Sequence, residues 1–259
     1  MKKTLFSCCL FLLLIGQSVW AADKAPFRYV WGTAHHILPE THSEESGYFS
    51  LAEGRNGKIY VGTAKYNANA FLVEFDPRTN AQRIVIDTNA VNNLSATGYA
   101  SQSKIHTRNF VAPSGLIYVG SQEGYRTIKG DESVYPGGYA MVYDPNTGRA
   151  RSLGMPMRGE GVIDVVTDEA RGLLYVVTSW GDDKKAHWLL GDLKTGTYQQ
   201  LGVLPTNYAS INAERPESKF LSVIPISISQ PTLHARLARV GRWLPVGGRV
   251  QVQHAYPAV

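Results

Sequence analysis

Along most of this chain apolar and polar residues alternate over short stretches of about four to eight residues, bounded by Gly, Pro, Asn and Asp. That period of two predicts half-buried β-strands, and no stretch sustains the 3.6-residue period of an amphipathic helix. The strand pattern also repeats. Gly57-Lys58-Ile59-Tyr60-Val61-Gly62 returns as Gly115-Leu116-Ile117-Tyr118-Val119-Gly120, then as Gly172-Leu173-Leu174-Tyr175-Val176-Val177, at offsets of 58 and 57 residues. A turn follows each copy: Asp76-Pro77-Arg78-Thr79-Asn80, Asp144-Pro145-Asn146-Thr147-Gly148 and Asp192-Leu193-Lys194-Thr195-Gly196.

Each copy reads as four short strands. The first strands are placed at residues 48–52, 106–111 and 162–167, and the second strands on the Tyr-Val runs. The third strands, 71–75, 139–143 and 187–190, end near the turn aspartate, and the fourth strand follows the turn. The Gly or Asn that closes each turn takes the positive φ of a tight hairpin. Strand-only units of about 50 residues with polar turns predict an all-β fold, a β-propeller with three recognisable four-stranded blades. A closed ring of this kind takes roughly four to eight blades, so the propeller is partial or truncated.

The ends of the chain depart from the pattern. Lys2 and Lys3, an apolar run over residues 5–15, and Val19-Trp20-Ala21 describe a secretory signal peptide over residues 1–21, with Ala22 as the alternative cleavage point. The run is shorter than the roughly 20 residues that cross a bilayer, and no later segment is apolar and long enough to do so. The expected location is periplasmic or secreted. Blades are assigned to residues 22–212. Residues 213–259 form an atypical tail: from 219 onward there is no Asp or Glu, while Arg236, Arg239, Arg242 and Arg249 accumulate. A degenerate last blade, a disordered basic tail and an out-of-frame stretch all fit that composition.

Charge and cysteine content narrow the function classes. Both cysteines, Cys8 and Cys9, fall in the signal, which leaves the exported part no disulfide, thiolate metal site or cysteine nucleophile. Loss of Lys2 and Lys3 takes the formal charge from +5 to +3, too mild for a nucleic-acid partner, which calls for a clustered basic face. No nucleophile elbow, phosphate loop or dinucleotide fingerprint is present. The sequence names no cofactor and does not fix the oligomeric state.

The stretches Lys104-Ile105-His106-Thr107, Tyr135-Pro136-Gly137-Gly138-Tyr139 and the Asp-Pro-x-Thr-Gly turns resemble secreted bacterial propellers of the quinoprotein-like class, also called PQQ-like or YVTN-type. The resemblance covers residues 47–205 and implies the fold. It assigns no function, because such folds host unrelated activities. The tryptophan that quinoprotein dehydrogenases carry after each Thr-Gly turn is missing from Arg149-Ala150-Arg151 and Thr197-Tyr198-Gln199. Similar propellers include lyases that act on uronate polymers with histidine and a metal.

The second copy stands apart from the other two. Tyr118 and Asp144 are 26 residues apart, against 16 and 17 in the other copies, so its loop between second and third strands is about nine residues longer. Twelve residues before the three blade tyrosines stand Tyr48, His106 and Ile163. In a propeller this loop and the long connection before His106 share one rim. His106, Arg108 and Tyr139 are the candidate catalytic residues, and Tyr48, Lys104, Arg126, Tyr135 and Trp180 the candidate ligand-binding ones. Histidine serves as base or metal ligand, arginine grips carboxylates, and tyrosine stacks on sugar faces. The expected partner is a small polar ligand or a saccharide, an acidic one by these residue types. The alternatives are a polysaccharide lyase-like enzyme and a protein-interaction scaffold. No metal site is assigned, and His35, His36, Glu40 and His42 read as a solvated loop.

Overall fold

A computed structural model describes residues 32–41, 43–45, 50–179, 185–204, 208–213 and 221–226. Within them the chain is all-β. Three antiparallel sheets follow one another in sequence, and then a two-stranded ribbon. The first sheet is β1 (Leu51–Glu53), β2 (Ile59–Gly62), β3 (Phe71–Asp76) and β4 (Ala81–Asp87), paired in that order. The long connection after β4 opens with a single helical turn, α1 (Thr88–Val91).

In the second sheet the first strand is split. β5 (Lys104–Ile105) and β6 (Phe110–Val111) both pair with β7 (Ile117–Gln122), which continues to β8 (Ala140–Asp144) and β9 (Arg149–Ser152). The third sheet is β10 (Gly161–Asp168), β11 (Leu173–Ser179), β12 (Ala186–Asp192) and β13 (Tyr198–Leu204). β14 (Tyr208–Ala213) and β15 (Leu221–Ile226) form the ribbon. The described helices include none long and apolar enough to cross a membrane.

The repeat read from the sequence is a repeat of pairing register. Tyr60 faces Ala52 and Glu74, Tyr118 faces Phe110 and Val142, and Tyr175 faces Val166 and Leu190. Ile59, Ile117 and Leu174 therefore occupy matching second strands. The turn aspartates act alike as well. Asp76 accepts from the Arg78 amide, Asp144 from that of Asn146, and Asp192 from those of Lys194 and Thr195. Each turn closes at positive φ, on Asn80, Gly148 and Gly196.

One expected strand differs. Residues 106–111 do not run as a single strand, because Asn109 adopts φ 56° and turns its side chain toward the first sheet. There its amide donates to the Tyr60 carbonyl, and its Oδ1 accepts from Ser50.

Neighbouring sheets pack through apolar faces at three levels. Tyr60, Leu72 and Ile86 meet Ile105, Ile117 and Met141 between the first two sheets; Tyr118 and Val142 meet Val162, Val165 and Val176 between the next two. Val177 and Trp188 pack with Ala209 and Ile211 of the ribbon. Polar bonds stitch the same seams. Buried Glu74 takes Lys58 at 2.7 Å, Arg83 at 2.8 and 3.2 Å and the Tyr60 hydroxyl at 3.0 Å, while Arg83 donates to the Tyr143 hydroxyl of the second sheet. The hydroxyl of Tyr118 reaches Glu169 of the third at 3.0 Å.

The closest approaches depend on missing Cβ atoms. A Cβ on Gly62 would lie 2.8 Å from Ile105, and one on Gly120, at the same place in the next copy, 2.2 Å from Val162. Gly138 passes so near the second and third sheets that its Cβ would sit 2.1 Å from the Ser121 carbonyl oxygen and 2.7 Å from the Val162 nitrogen. Gly138→Ala is therefore expected to cost about 2–3 kcal/mol as an overpacked contact. Gly130→Ala, at φ 79° with open space around it, costs only about 1 kcal/mol of backbone strain. Urea denaturation of the two variants checks the order.

Candidate functional site

The two long segments of the second copy do converge, and they do so through hydrogen bonds. In the connection before β5, the Tyr99 amide donates to Asp131 at 2.7 Å and the Ala100 amide to the Ser133 hydroxyl at 3.2 Å. The Gln102 amide donates to the Gly137 carbonyl, and Gln102 Oε1 accepts from the Tyr135 hydroxyl at 2.9 Å. Hydrogen bonds from Ser133 and from the Tyr99 amide hold the Asp131 carboxyl down at about 2. The loop is thus pinned to the rim rather than loose above it.

On that rim, in front of β5 and the end of β7, lies a buried charged cluster. The Lys104 ammonium sits 5.1 Å from the ring centres of both Tyr66 and Tyr125, which themselves meet edge to face at 5.1 Å. Lys104 is buried, and desolvation lowers its pKa. Glu123, the second residue of Gln122-Glu123-Gly124, lies beside it at 8 % exposure.

Burial pushes the Glu123 carboxyl up to about 7; a hydrogen bond from its own backbone amide and then the Lys104 charge pull it down in part, and nearby Glu160 raises it again. Its Oε2 accepts no hydrogen bond among the described residues, and neither does Oε1 of Gln122. Both side chains press on Gly161, whose Cβ would fall 2.3 Å from Gln122 Cγ and 2.8 Å from Glu123 Oε2.

The third sheet adds a second buried carboxylate. Glu160 lies 2.8 and 2.9 Å from Nδ1 of His187 on β12 and accepts from Thr178 on β11. A carboxylate on Nδ1 places the imidazole proton there and fixes the ring's orientation, the arrangement that prepares Nε2 to handle a proton. Lys104 beside Glu123, Glu123 beside Glu160 and Glu160 on His187 thus form one run of neighbours, although they come from separate segments of the chain.

The residues singled out by sequence fall in several places. Lys104 is at the centre of the cluster. His106, one residue past β5, is buried, its amide bonded to the Gly120 carbonyl. Burial, with help from Lys104, lowers its pKa to about 4, which keeps it neutral near pH 7.

Arg108 lies elsewhere. It borders a cavity of about 240 Å³ lined by Asn109, Phe110, Val111, Asp164, Val165, Val166 and Ile211. It bonds Asp164 at 2.6 Å and the Ile211 carbonyl, clasping β14 to the neighbouring sheets. Arg126 stacks 3.9 Å from the Tyr99 ring centre and gives its guanidinium to the carbonyls of Asp131 and Ser133. Tyr135 is buried under the loop, and Tyr139 packs against the core between the first two sheets. Tyr48 and Trp180 lie outside the described residues, as does His42; His35, His36 and Glu40 are exposed.

Glu123, Glu160, His187 and Tyr66 are functional candidates that the sequence did not single out. One signal was available for Glu123. Five residues past the blade tyrosines stand Lys65, Glu123 and Trp180, three unlike residues at one repeat position. The described residues contain no cluster of three or more His, Cys, Asp or Glu arranged to hold a metal ion.

No family model and no curated protein matches the chain. Among solved structures it is similar to the extracellular domain of a hybrid two-component system from B. thetaiotaomicron (16% identity, TM-score 0.42, covering 64% of this chain and 19% of that one). A glycoside hydrolase family 43 arabinoxylan arabinofuranohydrolase from Bacillus subtilis aligns at 12% identity and TM-score 0.37, covering 62% of this chain and 39% of that one. A puromycin-hydrolysing peptidase of Mycobacterium tuberculosis aligns at 13% and 0.25, covering 65% and 31%. The chain spans well under half the length of each, and likeness at this level says nothing of activity.

The raised carboxyl has a measurable consequence. Because the folded state holds Glu123 above its ordinary value near 4.5, folding loses stability as pH rises from about 4.5 to about 7. Glu123→Gln removes that loss. Relative to the wild type, the variant should gain about 2 kcal/mol between pH 5 and pH 8, read as the difference in Tm at the two values. His106 acts on the acid side, where its lowered pKa takes stability away as pH falls from about 6.5 to about 4.

Proposed function

We propose that this chain is an exported β-propeller, with residues 1–21 as its signal, that binds a polar ligand of the carbohydrate class at the rim between the second and third sheets. One observation carries the reading. A lysine held between two tyrosine rings stands beside a buried carboxyl with an unmet acceptor, at the edge of a pinned loop. Clefts that combine aromatic surface with a few converging polar groups and shifted pKa values are where polar ligands bind. Tyr125 is 57% exposed, and Ile128 and Val134 of the same loop are exposed too, which extends an apolar surface for a sugar face beside the polar groups. The successive sheets, with their repeated register, support the propeller geometry that brings these segments to one end.

Calorimetry against a panel of oligosaccharides tests the reading. Tyr125→Ala should weaken the best ligand about tenfold while lowering Tm by only a few degrees, because an aromatic platform contributes about 1–2 kcal/mol to stacking and its contact with Lys104 about 0.5–1 kcal/mol to folding. A protein that binds no oligosaccharide in the panel is not the receptor proposed.

A second reading, acid–base chemistry on the bound saccharide, is favoured by His187, oriented by Glu160, whose carboxylate lies in the field of Glu123. Its signature is new reducing ends, or unsaturated uronates absorbing in the ultraviolet, released by the wild type and not by His187→Ala.

A further inference from the structure

We infer that the rim selects a neutral, hydroxyl-rich ligand, and that Glu123 is the acceptor that reads one of its hydroxyls. The inference rests on the carbohydrate reading and gives the chemical class and the residue that discriminates. The basis is how three cationic groups that the sequence offered for binding an anion, Arg126, Arg108 and Lys104, are spent. Arg126 gives its guanidinium to two carbonyls of its own loop, and Arg108 is bonded to Asp164 beyond the rim. Lys104 is enclosed by two tyrosine rings and lies in the field of Glu123 and Glu45. No forked pair of donors is turned toward a ligand carboxylate among these groups, and an anion brought to Glu123 would also meet Glu160.

Among the described residues, two unmet groups of the rim are acceptors: the buried Oε2 of Glu123 and Oε1 of Gln122, in adjacent residues that are 8% and 2% exposed and whose side chains press on Gly161. A buried acceptor without a donor costs about 1–3 kcal/mol, more when it is charged, and a ligand O–H recovers that cost. A hydroxyl bonding to an ionised carboxylate gains more than one bonding to a neutral group.

The charge of Glu123 then becomes linked to binding. Lys104 from β5 faces it and favours its ionised form; Glu160, bonded to His187 of β12, disfavours it, and Tyr99 and Tyr135 of the two long segments lie within its field. Glu45, His106, Tyr66 and Tyr125 also lie close to Lys104. With the free carboxyl half protonated near neutrality, a hydroxyl donor captures the ionised form and releases a proton.

The test is calorimetry of the full-length protein with the β-1,4-linked tetrasaccharides of glucose, mannose, xylose and galactose, and with the α-1,4-linked tetrasaccharide of galacturonate. Titrations run at pH 6, 7 and 8 in two buffers of different ionisation enthalpy. The expected result is a neutral tetrasaccharide whose Kd tightens about tenfold from pH 6 to pH 8 with proton release at pH 6, both lost in Glu123→Gln. A Kd that is the same at all three values overturns the role of Glu123 and leaves the carbohydrate reading standing. So does a Kd that tightens as pH falls, because the carboxyl would then be the donor. Tighter binding of the galacturonate chain than of every neutral one overturns the class. No binding by any of the five at any pH removes the carbohydrate reading together with the inference.

Discussion

The constraint on which the rest depends is the distance between the second and third sheets. Gly120, Gly138 and Gly161 stand where a methyl group would collide with Val162, the Ser121 carbonyl and Gln122. Their bare backbones let β7 and β10 lie close enough for Tyr118, Val142, Val162 and Val176 to share one core. Dispersion falls steeply with a gap of even an ångström, so this seam is where packing holds the sheets in sequence. The first two sheets use the same device at Gly62. In the third copy Val177 takes the equivalent place and packs against Ala209 of the ribbon.

The same closeness produces the charged rim. Gln122 ends β7 and Glu123 follows it, while Glu160 precedes Gly161, the first residue of β10, so tight strands force two carboxylates from neighbouring sheets into one desolvated corner. Lys104 offsets part of that repulsion from β5, and the Tyr66 and Tyr125 rings shield its charge from water. Groups held this way contribute little to stability. Their arrangement is explained better by what they bind than by what they hold together.

The fold was legible because it repeats. The Gly-x-Ile-Tyr-Val-Gly copies and the aspartate turns report a backbone need, positive φ and pairing register, that local sequence states directly. The convergence of the two long segments was legible for the same reason, since an insertion between fixed repeat positions has only one rim to occupy. The partners of each side chain were not. His106 stood out as an odd residue at a repeat position, yet the turn at Asn109 that splits its strand sends Arg108 to the cavity beside Asp164 instead of the rim. Arg126 looked like a free cation and is folded onto its own loop. Glu123 drew no notice because its character comes from burial between sheets, a tertiary property with no local signature.

The central claim is that sheet packing, not local sequence, sets the state of the Glu123 carboxyl. The direct measurement is a carbon-13 NMR titration of that carboxyl in the unliganded protein, alone and with Glu160→Gln. The account predicts a midpoint near 7 that moves down when the neighbouring negative charge is removed. A midpoint near 4.5, unchanged by the substitution, would contradict it.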